Sequence, residues 1–499
     1  MRKSFLNNFF SSVGAQTLIV VFNFISVPFL LTIIGLEGYG LIAFYSTLQA
    51  VFSVLDAGFS PLVIRETASN VNGKEKEKRN YAALLDVVKM FFLITGLLGS
   101  TIIFLSSDVI IEYWLNLEGF DYNKIIQLMG IIICLRWWSG FYRSKFVGHQ
   151  NILVLNAISI FVGFHRFIVV ILYLNFFDST LLGFFKFQFI CGVIELALLH
   201  FIDLKINIYS RYKTSYIEKL NSFKSRYSFA IHAGLSSILW LVLVQGDKIV
   251  ILKVLSLENF AIFSLGVLGA SIFFFLTSPL SSVMIPKLTE INKFKETKDL
   301  KDFYNLTLNL VALIIIPISI YVFMFSEELL YFWVGDKNIS TQGSFILGFY
   351  ALGNALAVLS SFAYFLQSAK GELKLHFIGS LIFVLIFIPT LLFSVINFGM
   401  NAAAIVWLSC NILMFIGWGV YIHSIYMKVF FLNWLLKVFA PIVLISFIAI
   451  FFEYLLYEYL SRYTPLILFS IFICFINVIS LYIIFYGCNF KVIKKLSLS

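Results

Sequence analysis

Arginine is rarely found in the middle of a long apolar run, yet this sequence places one there twice. Arg136 stands in CLRWWSG, and Arg166 stands in FHRFIVV beside His165. A guanidinium stays charged and presents a planar fork of donors that suits phosphate bidentately. Neither arginine has an acid within one helical turn. Two readings stand side by side. Either the pair serves an anion, or each arginine is braced across helices by Asp56 or Glu195, since charges inside membranes do both jobs.

Asp56, Glu195 and Asp247 are the matching acids in apolar surroundings. Poor hydration disfavours the charged form of a carboxylate, so these three could take up a proton or hold a coupling cation such as Na+. His165 and His232 could assist, although an isolated membrane histidine is more often a satisfied polar residue. Lys248 follows Asp247 directly in QGDKIVI. Adjacent helical residues point about 100° apart, so one of the two lines a cavity and the other ties its helix to a neighbour. Lys186 lies near one end of its run, where snorkelling accounts for it as well as function does. Asp86 and Lys89 are three residues apart, the spacing of a local helix pair. No GxSxG, HExxH or Walker loop is present, which argues against an enzyme.

The elements that must carry these residues follow from composition. The chain has 499 residues, 60% hydrophobic and 12% charged, against about 25% charged in a soluble domain. That is the composition of a multi-pass membrane protein. A crossing helix needs about 20 mainly apolar residues. Fourteen runs qualify: 9–34, 40–62, 83–106, 125–142, 152–176, 180–202, 228–253, 260–285, 304–326, 342–368, 376–396, 400–425, 438–456 and 464–487. The first run is too long for a cleaved signal, so it reads as a retained span.

With the N-terminus inside, most of the 36 basic residues fall in inner segments. This bias places both termini in the cytoplasm. It also assigns the net charge of +10 to membrane topology rather than to nucleic acid. The five cysteines show no CxxC pair and read as small packing residues, with no metal site expected.

The chain partly repeats itself. IIGLEGYGLIAFYS (Ile33 to Ser46) is similar to VLSLENFAIFSLGV (Val254 to Val267). Each copy follows the first span of a half. Parallel repeats of this kind are a transporter architecture, with substrate handled between the halves. The expected fold is therefore all-α, with two pseudo-symmetric six-helix lobes at 1–202 and 228–425. A cytoplasmic connector occupies 203–227, and 426–499 adds two further helices and a short tail.

Three stretches carry a family resemblance: Asn8 to Gly14, Leu30 to Phe44 with Leu55 to Ala68, and QGDKIVI at Gln245 to Ile251. With the fourteen-span layout, the chain resembles the O-antigen flippases (Wzx type) of the multidrug/oligosaccharidyl-lipid/polysaccharide (MOP) exporter superfamily. That resemblance implies the fold of multidrug (MATE) exporters and of the lipid II flippase MurJ. It implies a bacterial inner-membrane protein that moves an undecaprenyl-diphosphate-linked oligosaccharide between leaflets. It also implies no resident cofactor, exchange coupled to H+ or Na+, and work alongside a polysaccharide polymerase and a chain-length regulator. On this view Arg65, Arg136, Arg166, Lys186 and Lys248 attract and guide the diphosphate. Asp56, Glu195 and Asp247 handle the ion. A lipid II flippase or a multidrug exporter would share the fold; an O-antigen polymerase or membrane glycosyltransferase would normally need a large periplasmic loop.

Overall fold

The computed structural model describes residues 2–460, except 54–55, 57, 71–74, 116, 118–119, 207–213, 216–217, 220–221, 223–226, 295–296 and 428–429. Among the described residues the secondary structure is helical, with no strand. A bilayer offers no water to stray backbone groups, so a helix that bonds its own backbone is the economical way across. Among the described residues eleven helices are long and apolar enough to cross a membrane. The last predicted span, 464–487, lies outside the described residues.

The first long helix, α1 (Arg2–Ser53), contains two of the predicted crossings. Its apolar part runs for 43 residues, Ser11–Ser53, about twice what one crossing needs. Gly35 divides it, with φ 74° and ψ 175°. A residue without Cβ adopts that conformation at little cost, so the chain turns here and starts back.

The predicted second span, 40–62, is corrected. The described part of the first helix runs to Ser53, and a separate short helix, α2 (Phe59–Asn70), follows. Gly58 turns the chain at φ 79°. The Ser60 amide donates to Asp56 Oδ1 at 2.9 Å, which satisfies an otherwise open donor at the start of α2. Asp56 therefore sits in a break between helices rather than inside a span.

Next come α3 (Glu75–Leu105), α4 (Phe120–Gly148), α5 (Ile152–Phe176), α6 (Leu181–Ile206) and α7 (Tyr227–Val254). These belong to a compact unit of residues Met1–Ala261. The compact unit thus takes in α7, which the sequence partition assigns to the second lobe. A buried cluster joins Phe59 and Leu62 of α2, Tyr81, Val88 and Phe92 of α3, and Trp137 and Phe141 of α4. A buried ion pair clamps α4 to α6: Lys145 Nζ stands 2.6 Å from Asp203 Oδ1.

The second unit, Ile262–Ser499, begins within α8 (Leu257–Asn292). It continues through α9 (Thr297–Met324), α10 (Ser326–Val334), α11 (Lys337–Lys370), α12 (Lys374–Phe398), α13 (Met400–Met427) and α14 (Phe430–Leu455). Polar pairs pin its buried helices. Asn354 of α11 donates to the Ala270 carbonyl at 2.8 Å and accepts from Trp407 Nε1 at 3.0 Å. Tyr304 OH meets His423 Nε2 at 2.6 Å.

Large apolar side chains also cover the outside: Ile102, Leu105, Phe176, Phe393 and Phe398 are all exposed. In water this would be an aggregation hazard. Against lipid it is the expected surface, because acyl chains are as apolar as the side chains.

Candidate functional site

The polar centre of the first unit is built from one face of α4. Arg136, Gly140 and Arg143 are spaced four and three residues apart, so they stack along one side of the helix. Arg136 Nη1 donates to Gln49 Oε1 of α1 and reaches Tyr45 OH at 3.5 Å. Arg143 turns to α6, donating from Nε and Nη2 to Glu195 Oε1 at 2.9 and 2.7 Å. Its Nη1 donates to Ser159 Oγ of α5 at 3.0 Å.

Arg166 completes the group from α5. It lies in a π-helical turn, His165–Val169, a widening of the helix that is often found at functional positions. Its Nη2 is 3.6 Å from Glu195 Oε2, and its carbonyl accepts from Gln188 Nε2 at 3.0 Å. Arg166 and Glu195 are 6% and 3% exposed. Arg166 Nε and Nη2 and Glu195 Oε2 have no hydrogen-bond partner among the described residues. One carboxylate therefore faces three guanidiniums, since the charge of Arg136 also acts on Glu195 and Arg166. Fully compensating buried charges requires equal numbers and good geometry. Among these four residues two cations are in excess, Arg143 being about a third exposed, and Arg166 Nε and Nη2 are left as donors without a hydrogen-bond partner among the described residues.

A cavity of about 200 Å³ opens beside Arg136. Gln49, Ser53, Asp56, Ser60 and Gly140 share its wall. Asp56 thus brings a carboxylate to the same space as Arg136.

The structure brings together Arg136, Arg166 and Glu195 of the residues expected from sequence, with Asp56 on the adjoining cavity. The brace reading holds for Arg166, which pairs with Glu195. It does not describe Arg136, whose hydrogen bonds go to neutral partners. The other expected residues stand apart. Lys186 is paired with Asp178 at 3.3 Å at the start of α6. Arg65 is exposed on α2. Asp247 is buried on α7 and accepts from the Lys248 amide at 2.7 Å; Lys248 Nζ bonds Gln245 Oε1 of its own helix at 3.2 Å. The side chain of His232 lies outside the described residues.

The expected Asp86–Lys89 pair is corrected as well. Asp86 is taken by Lys219 Nζ at 2.9 Å and Thr214 Oγ1 at 3.0 Å, both from the connector. Sequence reasoning missed Arg143, which lies one residue past the predicted end of its span. Its seven-residue spacing from Arg136 was the available signal. Also passed over was Glu453 of α14, buried, and without a hydrogen-bond partner on either carboxylate oxygen among the described residues.

A long all-helical chain of apolar crossings, with a charged centre buried among them, defines a membrane transporter fold. Comparison with known proteins agrees. Residues 30–342 match the family described as polysaccharide biosynthesis protein, and the chain belongs to that family. A Shigella flexneri protein provisionally named an O-antigen transporter is 24% identical over 407 residues, covering 77% of this chain and 89% of its own length. Among solved structures, the lipid II flippase MurJ in an inward closed conformation is similar, with a TM-score of 0.67 and 16% identity. That match covers 98% of this chain and 99% of the flippase. An inward-facing MATE-family multidrug transporter of the MOP superfamily gives a TM-score of 0.64 at 12% identity, over 83% of this chain and 96% of its own. The fold is therefore the one shared by MurJ and the MATE transporters, and these relatives are transporters and flippases rather than enzymes.

Proposed function

We propose that this protein is a flippase for an undecaprenyl-diphosphate-linked O-antigen or polysaccharide repeat unit, carrying it from the cytoplasmic to the periplasmic leaflet of the bacterial inner membrane. The observation that supports this reading is the surplus of positive charge around buried Glu195, three guanidiniums to one carboxylate, with Arg166 buried and Arg136 and Arg143 partly exposed. A diphosphate offers several anionic oxygens, and arginine forks bind them bidentately. Arg136 borders the cavity and makes the first contact. Arg143 and Arg166 follow as the headgroup competes with Glu195 for them. The lipid tail stays in the bilayer while the protein alternates between inward-open and outward-open states. Arg65, Lys186 and Lys248 serve as outlying cations along the route.

Coupling to H+ or Na+ is assigned to the acids, with Asp56 placed beside the entry cation, Glu195 at the centre and Asp247 buried on α7. On this reading both termini lie in the cytoplasm, which the basic loops support. A polysaccharide polymerase and chain-length regulator are the partners that would use the product.

The test uses a strain lacking this gene. Wild type restores long-chain surface polysaccharide. Arg136→Ala and Arg166→Ala, present in the membrane at normal level, do not. If wild type leaves the surface unchanged, the cargo assignment fails. If both variants restore it fully, the cationic site fails while the flippase stands. Lipid II has the same anchor and would meet the same arginines; rescue of a lipid II flippase-deficient strain instead would assign that cargo. A multidrug exporter for cations would call for an acidic centre, the opposite of the charge excess here.

A further inference from the structure

On the far side of the α3–α4 contact lies a second groove, of about 380 Å³. Phe92, Leu135, Leu196 and Phe201 line its body, and Lys89, Tyr142 and His200 form its polar end. Phe92 stands in the wall of both this groove and the Arg136 cavity. The two spaces are therefore separated by packed side chains of α3 and α4.

Lys89 is available at this end because its expected partner is engaged elsewhere. Asp86 is held by Lys219 and Thr214, and Lys89 has no ion pair among the described residues. His200 Nδ1 meets Tyr142 OH at 2.9 Å. Trp138 Nε1 donates to the Phe92 carbonyl at 3.1 Å, which holds the groove wall in place. No lining residue is an acid. Lys89, near the middle of α3, is close enough to Lys145, late in α4, for their charges to interact, and Tyr142 and His200 lie late in α4 and α6. Lys89, Tyr142 and His200 thus sit at the end of the unit that the basic loops assign to the cytoplasm.

We propose that this groove binds one anionic phospholipid of the cytoplasmic leaflet. An acyl chain fills the apolar body, and the phosphate meets Lys89 and His200. The bilayer surrounds these helices, so an amphiphile is the available occupant, and the groove is polar at one end only. The charge selects the head. A zwitterionic headgroup would bring a cation to a groove whose nearest acids, Asp86 and Asp203, are already paired with Lys219 and Lys145, whereas a net negative headgroup meets an unpaired lysine. Basic pockets between helices on the cytoplasmic side favour acidic lipids in this way. The site is separate from the proposed cargo route and holds whichever headgroup is transported.

Native mass spectrometry of the purified full-length protein tests this, with phosphatidylglycerol and phosphatidylethanolamine titrated separately. Wild type retains one phosphatidylglycerol at least about 5-fold more tightly than phosphatidylethanolamine, the factor expected for one lysine at a membrane surface. Lys89→Gln loses that preference, and Lys89→Arg keeps it. The exposed control Lys374→Gln keeps it as well. Leu196→Trp fills the groove, leaves the charges untouched and reduces retention of both lipids. Equal retention of the two lipids by wild type overturns the proposal. So does unchanged selectivity in Lys89→Gln, or co-purification of a prenyl diphosphate that Leu196→Trp displaces.

Discussion

Arg143 closes two of its nitrogens on a single oxygen of Glu195, leaving the other oxygen to Arg166 at 3.6 Å. Glu195 thus joins α4, α5 and α6, through charge-assisted hydrogen bonds to Arg143 and an ion pair with Arg166, deep in an apolar unit. Removing one partner of such a buried group leaves an uncompensated charge.

Glu195→Ala should therefore destabilise the protein by about 3–5 kcal/mol, seen as a lower melting temperature in detergent. The double variant Arg143→Ala/Glu195→Ala should be less damaged than the sum of the single variants, because the two residues act as a unit. Strict additivity would separate them.

Arg136 is bonded to neutral groups, so its loss should cost function more than stability. Charge-assisted hydrogen bonds are worth about 1.5–3 kcal/mol each. Arg136→Ala should accordingly weaken binding of undecaprenyl diphosphate about 10- to 100-fold. Arg136→Lys should recover part of this, since it restores the charge but not the fork. Isothermal titration in detergent reads both.

Gly140 offers a way to block the cavity without altering charge. A Cβ placed there would meet only the Phe92 ring, at 3.8 Å. Gly140→Ala should fold normally and favour the helix by about 1 kcal/mol. Gly140→Leu should also fold, but it should fill the space beside Arg136 and abolish restoration of surface polysaccharide. Full activity of a well-expressed Gly140→Leu would remove this cavity from the route.

Lys145 is 2% exposed, and its pairing with Asp203 contrasts with the open pair Lys219–Asp86. Lys145→Met should cost about 3–5 kcal/mol, whereas Lys219→Ala should cost no more than about 1 kcal/mol. Thermal unfolding of the two variants side by side measures the difference. Lys145→Met/Asp203→Leu should regain most of the loss, since a buried pair replaced as a whole by apolar groups is often tolerated.

Much of the fold was legible because lipid imposes a simple rule on sequence. Apolar runs long enough to cross announce themselves. The second span was read too long because Ala57 and Phe59 to Val63 continue the apolar run past Ser53, while the break depends on Asp56 and Gly58 acting together. Arg136, Arg166 and Glu195 were legible as charges where charges are costly. Arg143 was not, because it lay at the edge of a predicted span and looked like a loop residue.

The sequence by itself determined the class of protein, the helical solution and several of the charges in apolar surroundings, Arg136, Arg166 and Glu195 among them, because each follows from transfer cost along a single chain. Only the tertiary structure decided which charges meet. Glu195 faces Arg143 and Arg166, Asp86 turns to Lys219, and Arg136 turns to Gln49. Sequence period tells which side of a helix a residue occupies. It does not tell how far that helix is rotated or slid against its neighbours, and side-chain packing between helices sets both.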